Sequence, residues 1–315
     1  MDNNFTAHSM PELLAPAGSP ETLRAAVECG ADAVYLGAGK FSARAGAKNF
    51  HDDALAEAVG YARGHNVAVH LAVNTLVTDR EMDEALALVS YALTLGVAAF
   101  IVQDMGLARR IRAAHPTANL HASTQTTART LADVAVWGRL GFSRVVMARE
   151  LSAAELRAIA KNTDVELEVF VHGALCSSYS GQCLMSSFLG GRSANRGRCA
   201  QPCRLPYAAG GKTNGKPAPL LSLKDLCLID HLSTLQEIGI TSLKIEGRMK
   251  GEDYVRAVVS AYRRALDGTP PSPQEKKKLL AVFNRGGYTD GYFTARPAGM
   301  YMEQLKNPYG KGAKK

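Results

Sequence analysis

Short apolar or β-branched runs recur along the first half of the chain. Each is followed by a turn rich in Gly, Asn or Ser, then by an Ala/Leu-rich amphipathic stretch ending in Gly or Asn. The runs occupy residues 13–17, 33–36, 67–73, 99–102, 119–122, 145–148 and 165–171, and an eighth, 242–246, follows a long irregular segment. The helical stretches are 19–29, 52–64, 79–95, 105–114, 130–140, 152–162 and 253–267. Start signals agree with them. Ser19 precedes Pro20 and Glu21, and Ser152 has Glu155 three residues on, the capping-box spacing. Strands alternating with helices of this length predict βαβ units and a parallel sheet.

Eight such strands predict an α/β fold, a (β/α)8 TIM-like barrel, which takes about 250 residues. The competing open, doubly wound sheet carries a GxGxxG turn after its first strand. Here that strand ends in Ala17–Gly18–Ser19–Pro20. Residues 173–213 form a cysteine-rich insertion after strand seven, of the length that is functional when ordered. Residues 269–273, TPPSP, break the pattern. The expected organisation is therefore a barrel over 11–268, including the insertion, and a short C-terminal extension over 269–315. In that extension 274–283 reads as a helix, and 283–293, FNRGGYTDGYF, as a Gly-rich turn between short strand-like pieces.

In a barrel the chemistry sits at the C-terminal ends of the strands. Those ends carry Arg44, Asn74, Gln103, His121, Ser123, Gln125, Arg149, Glu150, His172, Glu246 and Arg248, whereas the strand bodies read as apolar. Arg44, Gln125, Arg149, Glu150, His172, Glu246 and Arg248 are the candidate catalytic set. Arginine forks suit a carboxylate, and a buried glutamate can orient them or move a proton. Structural pairing of Arg149 with Glu150, or a backbone carbonyl satisfying His172, are the alternatives for single residues.

Composition adds little until charge is considered. The chain has 315 residues, 46% hydrophobic and 21% charged, within the globular range. No apolar run is long enough for a membrane span, and the start, MDNNFTAHSM, is not a secretory signal, so a cytoplasmic location is expected. The formal net charge is +8. Between Val169 and Lys224 there is no Asp or Glu, while Arg192, Arg196, Arg198, Arg204, Lys212, Lys216 and Lys224 accumulate, and Lys306, Lys311, Lys314 and Lys315 follow near the end. This balance suits an anionic partner such as nucleic acid or a phosphorylated metabolite, or simply a solvated basic face.

Six cysteines in a chain with no signal segment do not suggest a disulfide framework. Cys29 and Cys227 stand apart and read as small buried apolar residues. Cys176, Cys183, Cys199 and Cys203 crowd into the insertion with the spacing C-x6-C-x15-C-x3-C. Four thiolates hold either zinc or an iron–sulfur cluster. Zinc ribbons favour tight knuckles, and only the second pair here is tight, which tilts the reading toward a cluster.

Those residues also carry a resemblance. Glu168-x-Phe170-x-x-Gly173-Ala174-Leu175-Cys176-x4-Gly181-x-Cys183-x-Met185-Ser186 resembles the signature of the U32 peptidase (collagenase-like protease) family. The segments ELLAPAGSPETLRAAVECGADAVYLGAGKFSARAGAKNF, SLKDLCLIDHL and SLKIEGRMK extend the likeness over residues 11–295. The resemblance implies two kinds of activity. One is peptidase activity, although the sequence has neither HExxH nor a Ser/His/Asp order. The other is oxygen-independent hydroxylation by a 4Fe-4S enzyme acting on tRNA wobble uridine, an rRNA cytidine or ubiquinone precursors. In the RNA-acting branch prephenate is linked as hydroxyl source. The family's cluster cysteines map onto Cys176, Cys183, Cys199 and Cys203. Both cysteines of GRCAQPCR are present, which favours the RNA branch, and GAGKFSARAGAKNF resembles the rRNA subgroup. Such relatives continue well past FNRGGYTDGYF. The expectation is thus an RNA hydroxylase with RNA as partner and no membrane. The alternatives are a U32 peptidase, or a non-catalytic half of a two-chain enzyme paired with a U32 paralogue or a second copy.

Overall fold

The computed structural model describes residues 10–208 and 216–302. Lys212, the end of the insertion and the lysines after Arg296 lie outside the described residues.

Seven parallel strands follow one another around the fold: β1 (Glu12–Pro16), β2 (Ala33–Gly37), β3 (Ala68–Val73), β4 (Ala99–Val102), β5 (Leu120–Ala122), β6 (Arg144–Val146) and β7 (Glu166–Gly173). Two short elements intervene, β8 (Asp225–Cys227) and then β9 (Ser242–Ile245). β9 pairs in parallel with both β7 and β1, with Val169 opposite Leu243 and Leu13 opposite Leu243, and this closes an eight-stranded barrel. The helices α1 (Pro20–Glu28), α2 (Asp52–Gly64), α3 (Met82–Leu95), α4 (Met105–Ala114), α5 (Leu131–Arg139) and α6 (Ala153–Ala160) cross between successive strands. Capping boxes open α1, α5 and α6 through Ser19, Thr130 and Ser152, each satisfying otherwise orphaned N–H groups of the first turn.

Three elements, α7 (Met185–Gly190), α8 (Leu232–Ile238) and β8, are absent from the sequence reading. The helix between insertion and last strand is only α8, after the one-turn helix α7 inside the insertion. Seven residues are too few to show a clear period. β8 runs antiparallel to the end of β7, with Cys227 opposite His172. After β9 come α9 (Glu252–Leu266) and α10 (Pro273–Ala281), then the two-residue strand β10 (Tyr288–Thr289), which pairs with β8. The extension thus folds back onto the barrel rim, with one short strand where two pieces were expected.

Outward-facing strand residues such as Leu13, Val34, Leu36, Leu71, Phe100, Val102 and Leu243 join the helices in one large apolar core. The apolar part of the barrel interior is much smaller, made of Leu14, Ala33, Tyr35 and Ile101. The rest of the interior is polar, and that sets up the site. No helix among the described residues is long and apolar enough to cross a membrane.

Candidate active site at the barrel mouth

The C-terminal mouth holds a cavity lined by Tyr35, Arg44, Asn74, Ser123, Gln125, Arg149, Phe170, Lys244, Glu246 and Arg248, among others. Its centre is the Glu246 carboxylate. Arg44 Nη2 donates to Glu246 Oε2 at 2.7 Å and Arg149 Nη2 to the same oxygen at 2.9 Å. Burial alone would raise the Glu246 pKa, but Arg44, Arg149 and Arg248 outweigh it and hold the carboxyl at about 2. Arg149 also donates to Ala174 O at 3.0 Å, and its guanidinium lies 4.0 Å from the centre of the Phe170 ring. Arg248 does not pair with Glu246. Its Nη1 donates to Ser42 Oγ at 2.6 Å, and burial pushes its pKa down to about 10. This approach needs Gly37, because a Cβ there would sit 2.9 Å from Arg248 Nη1 and 2.6 Å from Ser42 Oγ. The Nε atoms of Arg149 and Arg248 are buried with no hydrogen-bond partner. Two guanidiniums therefore share one carboxylate, a third lines the same cavity, and donors are left to spare, a setting that suits an anion.

Not every expected residue joins them. Glu150 accepts from Ser180 N and Oγ at 3.3 and 3.2 Å, tying the insertion to the end of β6. Burial raises its pKa. His172 faces the other way. Between Phe170 and His172 the β7–β9 register shifts, so His172 lies opposite Ile245 on the outer face of the barrel. There its ring packs against Tyr254, Tyr262 and Tyr288, and burial alone lowers its pKa to about 3. One extra residue thus reverses the facing that strict alternation assigns.

Other residues lie where the sequence reading saw only apolar strand bodies. Lys244 and Glu168 form a fully buried pair at 2.7 Å beneath the cavity. Arg144 continues the network, 3.4 Å from Glu168, 2.6 Å from Glu12 and 2.7 Å from Glu166. The available signal was a polar or charged residue at alternate positions of SLKIE and of ELE, residues 166–168. His70, His121 and Glu168 bring potential ligand atoms within 4.8 Å of one another, the one such trio among the described residues. Yet Glu168 is already held by Lys244 and Arg144, and two cations beside it oppose a metal ion there.

The insertion lies over the mouth. Gln182 Nε2 donates to Thr127 Oγ1 at 2.7 Å, and Thr127 Oγ1 donates to Ser180 O at 2.7 Å. Asn195 O accepts from Leu76 N and from Gln103 Nε2, both at 3.4 Å. Arg196 grips Glu81 with both Nη atoms, at 2.5 and 2.9 Å. Gly197, at φ 75°, brings the chain so close that a Cβ would lie 2.3 Å from Ser42 O. This places Cys176, Cys183, Cys199 and Cys203, all free thiols, along the rim.

Residues 18–303 match the model of Peptidase family U32. The chain belongs to peptidase family U32. Among its relatives, tRNA hydroxylation protein P1 of Bacillus subtilis is 38% identical over 97% of this chain and 75% of its own length. The 23S rRNA 5-hydroxycytidine synthase of Escherichia coli is 42% identical over 81% of this chain, which spans only 39% of that protein. A protein named collagenase, from Porphyromonas gingivalis, is 32% identical over 96% of this chain and 77% of its own length.

Cys176, Cys183, Cys199 and Cys203 are the four thiols of this U32 protein that could together hold a metal centre. Among the described residues no three of these sulfurs lie within 4.8 Å of one another. Gln201 N approaches Cys199 Sγ at 3.3 Å. Burial raises the Cys176 pKa, with Ser178 N–H and Arg149 acting against it.

Proposed function

We propose that this U32 protein hydroxylates RNA without dioxygen, using a 4Fe-4S cluster on Cys176, Cys183, Cys199 and Cys203 and a dicarboxylate such as prephenate in the arginine-lined cavity. The observation that carries the reading is the mouth itself. Three arginines surround one glutamate directly beneath a four-cysteine insertion. The names of the relatives from Bacillus subtilis and Escherichia coli support RNA as the substrate class.

In this reading Arg44, Arg149 and Arg248 bind carboxylates. Glu246 stays ionised and fixes the forks of Arg44 and Arg149, while Gln125 offers an amide at the rim. Glu150 anchors the insertion, and His172 supports β7 from outside; both are positioning residues. A bound cluster supplies one-electron redox chemistry.

Hydrolysis of peptides is the second reading, favoured by the collagenase relative. The hydroxyls near the cavity argue against it. Ser42 Oγ accepts from Arg248, and Ser123 Oγ accepts from Asn74 Nδ2 at 3.3 Å and Gln125 N at 3.2 Å, so each faces donors rather than a base.

The test is anaerobic reconstitution followed by iron, sulfide and zinc analysis and mass spectrometry of nucleosides from treated RNA. Ser in place of any of the four insertion cysteines should lose iron, and Cys29→Ser and Cys227→Ser should keep it. Hydroxylated nucleoside should form only with the dicarboxylate present. Full iron in Cys199→Ser would remove the cluster assignment. A loaded protein with no turnover alone, but with turnover beside a paralogue, would make it one half of a two-chain enzyme.

A further inference from the structure

The three most exposed large apolar side chains among the described residues all belong to α7 and its entrance: Phe188 at 93%, Leu189 at 66% and Leu184 at 63%. Such exposure is unusual for a phenylalanine and marks a contact surface. The helix is held firmly from below. Ser186, 2% exposed, accepts from Ala200 N at 2.9 Å, which clamps α7 to the Cys199 segment. Arg192 Nε donates to Arg198 O at 3.0 Å, and both arginines are exposed. Among the described residues neither guanidinium is paired with a carboxylate. Across the insertion Tyr179, half-exposed, lies under the exposed guanidinium of Arg129 at 4.4 Å. No acidic residue occurs from Val169 to Lys224. The same insertion meets the mouth through Gly197 and Ser42.

Exposed rings among unpaired guanidiniums match one ligand chemistry well. Unstacked bases pack on aromatic faces, and the phosphates between them meet the arginines. A double helix has no free base faces to offer. We propose that the outer face of the insertion is a platform for single-stranded RNA, with Phe188 and Tyr179 stacking bases and Arg129, Arg192 and Arg198 contacting phosphates. This rests on the RNA reading above and names the surface that would deliver the strand to the mouth.

The experiment measures fluorescence polarisation of a labelled, unstructured RNA of about twelve nucleotides, on the full chain at several salt concentrations. Phe188→Ala and Tyr179→Ala remove exposed rings, so their melting temperatures should match the wild type. Each should weaken binding by about tenfold. Arg192→Gln combined with Arg198→Gln should lower the slope of log affinity against log salt by about 1.4, at about 0.7 per phosphate. A duplex of the same sequence should bind more weakly than the single strand. Wild-type affinity in both aromatic variants, or equal affinity for the duplex, would overturn the platform while leaving the RNA reading standing. So would a change in self-association with unchanged RNA affinity, which would make α7 a protein contact. A wild-type chain that binds no RNA would overturn both.

Discussion

Two clusters of buried charge share this barrel, one at the mouth and one below it. At the mouth Arg44, Arg149 and Arg248 face the single carboxylate of Glu246, and two Nε atoms have no partner. Below, Lys244 and Arg144 face Glu168, Glu12 and Glu166, with Ser242 donating to Glu12 at 2.8 Å. The lower cluster has at least as many acceptors as cations, so it satisfies itself and replaces the apolar layers that usually fill a barrel. The upper cluster has surplus positive charge and opens into a cavity. Glu246 and Glu168 are both buried, and what separates their clusters is saturation, which on the reading proposed above divides charge that binds a ligand from charge that holds the fold.

The largest expected effect comes from breaking the saturated cluster. Glu168→Ala leaves the buried Lys244 without its carboxylate, while Arg144 keeps Glu12 and Glu166, and should cost about 3–5 kcal/mol in urea unfolding. Unchanged stability would mean the lower network is not structural. Next, Arg248→Ala removes a mouth donor without orphaning Glu246, which it does not contact. The fold should survive, while dicarboxylate affinity by calorimetry should fall by about tenfold to a hundredfold, the value of a charged hydrogen bond. A large drop in stability with undiminished binding would reverse the roles of the two clusters.

Acid should separate the clusters along the pH axis. His70 and His121 in the lower barrel, and His172 outside it, are kept neutral by burial, with pKa values below the usual 6.5. The unfolded chain therefore binds more protons as pH falls through 6.5. Their contribution is full above that pH and is lost below it, by at most about 1.4 kcal/mol per pH unit for each histidine. Glu246 has its folded pKa depressed from 4.5 to about 2, so its contribution is full above 4.5 and lost only as pH falls toward 2. His121→Gln should flatten the upper part of the profile, and Glu246→Gln only the lower part. The smallest effect belongs to Glu150→Gln. The amide oxygen still accepts from Ser180, so stability should change by under about 1 kcal/mol and dicarboxylate affinity should hold. A loss of affinity matching that of Arg248→Ala would return Glu150 to the binding site.

The eight barrel strands, six of the crossing helices and α9 were legible in the pattern of apolar positions. Local propensity, capping and burial all point the same way in those segments. The four-cysteine insertion was legible too, because residue type and spacing carry its chemistry without a fold. So was the convergence of Arg44, Arg149, Glu246 and Arg248, since closing a barrel brings strand ends together. Three features needed tertiary structure. The facing of His172 depends on one inserted residue in β7, which no periodicity records, because a bulge is defined only against its partner strand. The partners of Glu150 and Arg248 depend on where the insertion and the loop after β2 come to rest, contacts made across long stretches of chain. Whether a buried charge is saturated or spare depends on how many opposite charges from other strands reach it, and that number exists only once the barrel has closed.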